Sequence, residues 1–454
     1  MRNTLFAALA YLILGNAPLK AQTTSDTLSL SLQEAIDYAM INAYQKQNAD
    51  YDVEAAHKKL WETIAIGLPQ VDGSAGYNHN LDLPVSLFPV DILPPDMRPP
   101  GAQPGDKIPI SFAQANDANF RIAVNQLIFD GSYIVGLKAS KVFLKLSEQQ
   151  REKTEIDIRN NVVQAYYIAL TAKENVETFK HSLEVNERTL VETEAYYKNG
   201  FREETDKAQI ELMVSSGKSR LLEVERSYNV AMAVLKFSIG MNLEEKVELT
   251  DNLDMVISPV LLTNTSTIDF NVENHIDFRL AESDVTSRKL FMQNEQAQYL
   301  PKLNASYSYS KSAFGDDWNL FSQEWYPSQM VGLNLSVPIF TSGSRMAKVK
   351  QEKINYLKAQ NTQQMVSENL RKDFLNASTT MSTTREQYSN SLKNKELASR
   401  IYEVNLIKFN KGIINSTQLS QNESQYVEAE LGYIESVLKL LQAHIELQRI
   451  LNQL

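Results

Sequence analysis

Hydrophobic positions along this chain follow two periods, and the two alternate. Residues 71–81 place Val71, Ala75, Tyr77 and Leu81 on one face and Asp72, Ser74, Asn78 and Asn80 on the other. That period of two predicts a half-buried strand. Residues 119–129 repeat it, with Phe120, Ile122, Val124 and Ile128 against Asn119, Arg121 and Asn125. Two later stretches do the same: Leu303, Ala305, Tyr307 and Tyr309 at about 302–311, and Val331, Leu333, Leu335, Val337 and Ile339 at about 330–340. After each strand pair the period lengthens. Ile158, Val162, Ala165, Ala169, Ala172, Val176, Phe179, Leu183, Asn186 and Leu190 step alternately by four and three, and Asn186 alone is polar. Leu370, Phe374, Ala377, Met381, Thr384, Tyr388 and Leu392 keep the same spacing. Sustained heptads predict long, coiled-coil-like helices.

Glycine and proline mark where these elements stop. Residues 137–199 contain neither over 63 positions, and residues 344–411 contain neither over 68. At 1.5 Å per residue the first run alone would span roughly 95 Å. Each run ends at a polar glycine turn, Lys198-Asn199-Gly200-Phe201 and Asn410-Lys411-Gly412-Ile413, and a return helix follows at about 203–240 or 414–453. Helices are also expected at 28–66, with a Ser31/Glu34 capping box, and at 272–299. Residues 83–112 hold eight prolines and read as a long loop; 242–271 reads as an irregular, acidic link.

The plan is written twice. Leu68-Pro69-Gln70-Val71 corresponds to Leu300-Pro301-Lys302-Leu303, Leu127-Ile128-Phe129 to Pro338-Ile339-Phe340, and Gln209 and Glu211 beyond Gly200 to Gln421 and Glu423 beyond Gly412. Such self-similarity is one supersecondary unit used twice. The expected domains are a signal at 1–21, a first repeat at 22–241, a link at 242–271 and a second repeat at 272–454.

Composition changes the picture in three ways. Arg2 followed by the apolar run 5–14 reads as a cleaved secretory signal, too short for a spanning helix of about 20 residues. There is no cysteine, which excludes disulfides and thiolate sites, and no apolar run of 18 residues follows the signal. Any membrane insertion must therefore use strands. The net charge of −10 gives no nucleic-acid signature. The five histidines are scattered, and neither a phosphate loop nor a Gly-x-Ser-x-Gly elbow occurs. No catalytic, metal or cofactor site is expected. Ser378, Thr379, Thr380, Ser382, Thr383 and Thr384 suit either a water-filled lumen or a solvated helix face.

Four strands cannot close a membrane barrel, which needs about eight. An open sheet in lipid leaves unpaired backbone groups, each costing several kcal/mol. Several chains must then share one barrel, with Phe120, Ile122, Val124, Tyr307, Tyr309, Leu333, Leu335 and Val337 as lipid-facing candidates. The alternative is a soluble periplasmic coiled-coil scaffold, which leaves the four alternating segments without a use.

The duplication, the Leu-Pro before each first strand, the Ile-Phe entry to each long helix and the glycine turns resemble the TolC-type outer-membrane efflux family, over residues 28–454. The resemblance implies a mainly α fold with a small β-barrel portion. It implies a homotrimer with a shared 12-stranded barrel in the outer membrane of a Gram-negative bacterium, and long helical hairpins forming a periplasmic tunnel. It implies a passive exit duct with no enzymatic activity, for small molecules or, alternatively, for secreted proteins. The implied partners are a periplasmic adaptor protein, docking at Lys198, Asn199, Gly200, Phe201, Asn410, Lys411, Gly412 and Ile413, and an inner-membrane pump. Carried over by position, the constriction sites are Asp206, Gln209, Gln418 and Gln421. Two departures stand out. The second-half sites are amides, so an acidic ring rests on Asp206 alone, and the family's aromatic–basic gating link is not evident at Phe409 and Ile414.

Overall fold

The computed structural model describes residues 28–262, 270–319 and 322–453. The expected signal at 1–21, and residues 263–269 of the link, lie outside them. In chain order the elements are β1 (Leu28–Leu30), α1 (Leu32–Asn42), α2 (Tyr44–Ala65), β2 (Gln70–His79), β3 (Ser86–Pro89), β4 (Lys107–Ile110), β5 (Asn116–Asp130), α3 (Gly131–Lys198), α4 (Glu204–Ser238), β6 (Val247–Leu249), α5 (Leu253–Leu262), α6 (Ile276–Ala297), β7 (Lys302–Gly315), β8 (Tyr326–Ser336), α7 (Ser344–Asn410) and α8 (Ser416–Ile450). The fold is mainly helical, duplicated, with a four-stranded sheet.

The chain divides into two compact units. Of the described residues, one holds 28–49, 152–262, 270–275 and 369–453, the other 50–151, 276–319 and 322–368. In the first, the heptad stripe of α3 is buried as its spacing demands: Ile158, Val162, Ala165 and Ala169 pack with Leu235 of α4, Met381 of α7 and Leu440, Leu441 and Leu447 of α8. Burying each of the Ile, Val, Leu and Met side chains here stabilises by roughly 1.5–3 kcal/mol.

Two expectations for this unit are corrected. The predicted helix over 28–66 is three elements. Ser31 caps α1 with the expected box, its hydroxyl accepting from the Glu34 amide, which leaves Leu28–Leu30 free to pair in parallel with Val247–Leu249. At Ala43 the backbone then turns extended, with φ −60° and ψ 132°, and the side-chain amides of Asn42 and Gln47 satisfy the Tyr38 and Asn42 carbonyls at the break. The link at 242–271 also holds two regular elements, β6 and α5, and α5 carries Pro259 inside it. The Tyr166 hydroxyl ties these pieces together, donating to the Leu30 carbonyl at 3.1 Å and to the Asp251 carboxylate at 2.8 Å. Asp251 also accepts from the Leu32 amide. Burial, with the Asp251 carboxylate beside it, pushes the Tyr166 phenol well up.

The second unit carries one antiparallel sheet in the order β2-β5-β7-β8, so the two repeats meet at β5–β7. Asp130 caps α3, its carboxylate accepting from the Ser132 amide at 2.8 Å and pairing with Lys302 at 2.9 Å. A bulge between Leu127 and Phe129 precedes it and sets the bend from strand to helix. The stretch 83–112 is not loop throughout: β3 and β4 form a hairpin that contains Pro89 and Pro109. A two-stranded ribbon tolerates proline because one side of each strand needs no partner.

Candidate functional site

Two surfaces carry the candidate residues. The first is one face of the sheet. Directly paired residues of antiparallel strands point the same way, so the register sorts every side chain. Val124 lies opposite Val71 and Tyr307, Ile122 opposite Gly73 and Tyr309, and Phe120 opposite Ala75 and Lys311. Tyr307 then opposes Val331, Ala305 opposes Leu333, and Leu303 opposes Leu335. Phe120, Ile122, Val124, Tyr307, Tyr309, Leu333 and Leu335 therefore share one face. Val337 does not belong with them: β8 ends at Ser336, and the alternation runs on past the strand toward Pro338, which has no amide hydrogen for a ladder.

Among the described residues, nothing covers this face. Leu333 is 75% exposed, and Val71, Val331 and Leu335 are also exposed. The opposite face carries Asp72, Ser74, Asn78, Asn119, Arg121, Ser306, Ser308, Ser310 and Asn334. The outermost strands of the sheet, β2 and β8, are each paired on one side only among the described residues. An exposed apolar face with unpaired edges suits lipid on that face and further strands at both edges.

The second surface is the pair of helix turns. Each closes as a Schellman motif. The Phe201 amide donates to the Tyr196 carbonyl and Gly200 to Tyr197; the Ile413 amide donates to Lys408 and Gly412 to Phe409. The motif needs a left-handed residue, supplied by Gly200 at φ +78° and Gly412 at φ +72°. It leaves Phe201 77% and Ile413 67% exposed, beside the exposed Lys198, Asn199 and Lys411 and the terminal Asn410 of α7.

Of the four constriction candidates, the structure joins two to the other hairpin. The Asp206 carboxylate accepts from the Ser416 backbone amide at 3.0 Å, at the start of α8. It also faces Arg202 at 3.6 Å, with only 13% of its side chain exposed. Burial pushes this carboxyl up, but the Ser416 hydrogen bonds and the Arg202 charge outweigh it and hold it below the ordinary carboxylate range. The Gln209 amide donates to the Ser420 hydroxyl at 3.2 Å. Gln418 and Gln421 are exposed.

An aromatic–basic contact does exist at Phe409, with its base supplied from the other turn. The Arg202 guanidinium lies 4.1 Å from the Phe409 ring centre and donates to the carbonyls of Phe409 and Ile414. Nothing in the spacing of Arg202, Phe409 and Ser416 marks them as partners. Ile210, Met213, Tyr402, Phe409 and Leu419 form a small apolar cluster beneath them. Above it, Glu423 accepts from Ser182 and Asn186.

None of these groups forms a nucleophile–base pair, and no cluster suited to a metal ion occurs among the described residues. No described helix is long and apolar enough to cross a membrane.

Comparison with known proteins follows the same lines. The family description "outer membrane efflux protein" matches residues 35–241 and again 271–453, once per repeat. The chain is 21% identical to the outer membrane protein TolC of Vibrio cholerae over 422 residues, covering 91% of this chain and 90% of that one. It is also 21% identical to the alkaline protease secretion protein AprF of Pseudomonas aeruginosa, over 51% of this chain and only 48% of AprF. Its fold superposes on the CmeC outer membrane channel of Campylobacter jejuni with a TM-score of 0.72 at 17% identity, covering 96% and 90% of the two chains. Members of the matching family are non-enzymatic outer membrane channels of tripartite systems, trimeric, with a periplasmic helical extension. The chain belongs to the outer membrane efflux protein family, of the TolC type.

Proposed function

We propose that this chain is the passive exit duct of a tripartite efflux system and carries small molecules to the exterior. The observation that carries the reading is the exposed apolar sheet face with its two open edges. Three copies of a four-stranded sheet make a 12-stranded barrel, and closure satisfies the edges of β2 and β8. Phe120, Ile122, Val124, Tyr307, Tyr309, Leu333 and Leu335 then meet lipid, and the Asp72, Arg121 and Asn334 face meets a water-filled lumen. The ends of the strands away from the helices, with the β3–β4 hairpin, face outward. A signal at 1–21 is removed on export.

At the helix turns, the exposed Phe201 and Ile413 on Schellman motifs suit an apolar contact with a periplasmic adaptor. An inner-membrane pump supplies the energy. Asp206 acts first as an inter-hairpin cap; Gln209, Gln418 and Gln421 line the narrowing as uncharged amides.

A second reading, a duct for secreted protein, is favoured by the similarity to AprF. Deleting the chain separates the two. Cells that become sensitive to small toxic compounds, with secreted protein unchanged, support efflux. Loss of an extracellular protein at unchanged sensitivity supports secretion and overturns the small-molecule reading.

A further inference from the structure

The outer end of the sheet carries an arrangement that a lipid-facing wall does not require. Along the apolar face, the rung Tyr309–Ile122–Gly73 is followed by Lys311–Phe120–Ala75, then Ala313–Ala118–Tyr77, then Gly315–Asn116–His79. Lys311 is exposed, and it is the one formally charged side chain on this face among the paired residues. One small apolar rung, Ala313–Ala118–Tyr77, separates it from the Gly315–Asn116–His79 end of the sheet.

Beyond it sits an aromatic platform. Trp318, 71% exposed, stacks on His79 at 4.9 Å and on Tyr77 at 5.7 Å between ring centres. The platform is braced from below by Asn116, which is fully buried. The Asn116 side-chain oxygen accepts from the Tyr77 hydroxyl at 2.6 Å and pairs with Nδ1 of His79 at 2.7 Å, and its amide donates to the Asp316 carbonyl at 3.0 Å. With the Asn116 oxygen as acceptor, Nδ1 of His79 carries the hydrogen. Lys311 and Tyr77 are two strands and one rung apart, about 12 Å between their Cα atoms by standard sheet spacings. Ala118 and Ala75, between them, are small. The Asp316 carboxylate is turned to the Ala115 amide.

We propose that this rim binds the phosphorylated sugar headgroup of a membrane glycolipid, the Lys311 ammonium pairing with a phosphate while Trp318 stacks on a sugar ring. The inference rests on the lipid-facing reading of the apolar face. The charge argues for the occupant: a long cationic side chain near the outer edge of an apolar band reaches headgroups, and an anionic headgroup repays its placement there. The exposed tryptophan adds what a phosphate alone does not need, a flat apolar surface for a ring with C–H edges.

The test uses the intact protein purified from outer membranes. The trimer is loaded with bisphosphorylated lipid A, with enzymatically dephosphorylated lipid A, or with phosphatidylglycerol, and the lipid retained through delipidation is counted by native mass spectrometry. Retention of the bisphosphorylated form at least tenfold above the other two is expected. Lys311→Ala should lower it at least tenfold, Lys311→Arg should keep it, and Trp318→Ala should lower it for the glycolipid alone. Equal retention of phosphorylated and dephosphorylated forms by the wild-type trimer overturns the proposal, as does equal retention by an assembled Lys311→Ala trimer. Stronger retention of phosphatidylglycerol points to a plain anionic-lipid contact and overturns the glycolipid. A wild-type protein that never assembles as a trimer overturns the barrel reading, and this proposal with it.

Discussion

The two units of this chain dispose of their apolar residues in opposite ways. In the helical unit they are covered: Leu440 and Leu441 of α8, Val162 and Ala169 of α3 and Leu235 of α4 are completely or almost completely buried within one chain. In the sheet unit the apolar side chains of four strands are turned outward, and the polar ones line the other face. A unit that buries its own apolar surface is stable for reasons written in its own contacts. A unit that exposes it has been shaped for a surrounding outside the chain. On the function proposed above, that surrounding is lipid on one face and further strands at both edges.

Mutations at equivalent apolar side chains should therefore fail in different places. Leu440→Ala should cost about 2–5 kcal/mol through its cavity, read as a lower melting temperature of the helical signal in any solvent that keeps the protein folded. Val124→Arg and Leu335→Arg should cost about 2–4 kcal/mol near the bilayer midplane. Their loss should appear as missing trimer in the membrane fraction while the helical signal is retained. If these arginine variants assemble normally, the sheet face does not meet lipid.

The turns sharpen the contrast, because polar contacts hold them. Arg202→Ala removes the cap on the Phe409 and Ile414 carbonyls and the cation beside Asp206, at a cost of about 1–3 kcal/mol. Hydrogen exchange should accelerate at the two turns and stay unchanged around Leu440. Asp206→Asn should loosen the same contact and change the cation preference of the channel little, because the carboxylate is engaged within the chain. A large selectivity change would restore the acidic ring.

The smallest effect concerns pH. The native Asp206 carboxyl titrates below its unfolded value, so its contribution is fully present above the ordinary aspartate value of about 3.9. It is lost as pH falls through the lower native one. Exchange at the turns should rise in that acid window in the wild type, and the rise should be absent from Asp206→Asn.

Long-range order was legible wherever one period runs over many residues. The α3 stripe from Ile158 to Leu190 and the alternation of Phe120, Ile122 and Val124 each repeat often enough to fix both element and face. What escaped the pattern is short or made by distant partners. Leu28–Leu30 is three residues long, and its partner Val247–Leu249 is remote in sequence. The β3–β4 hairpin was hidden by its prolines. The Tyr166–Asp251 hydrogen bond and the stacking of Arg202 on Phe409 join single residues with no periodic context. Val337 failed for the reverse reason: an alternation outlived its strand. At the turns, Gly200 and Gly412 were readable because left-handed backbone favours glycine, whereas the engagement of Asp206 depended on a second helix start.

The most direct test of the account is the detergent-corrected mass of the protein extracted from outer membranes. Three copies in one particle is the predicted result, since three four-stranded sheets are what close the edges of β2 and β8. A single copy, or a soluble periplasmic species, would contradict it and leave the exposed sheet face unexplained.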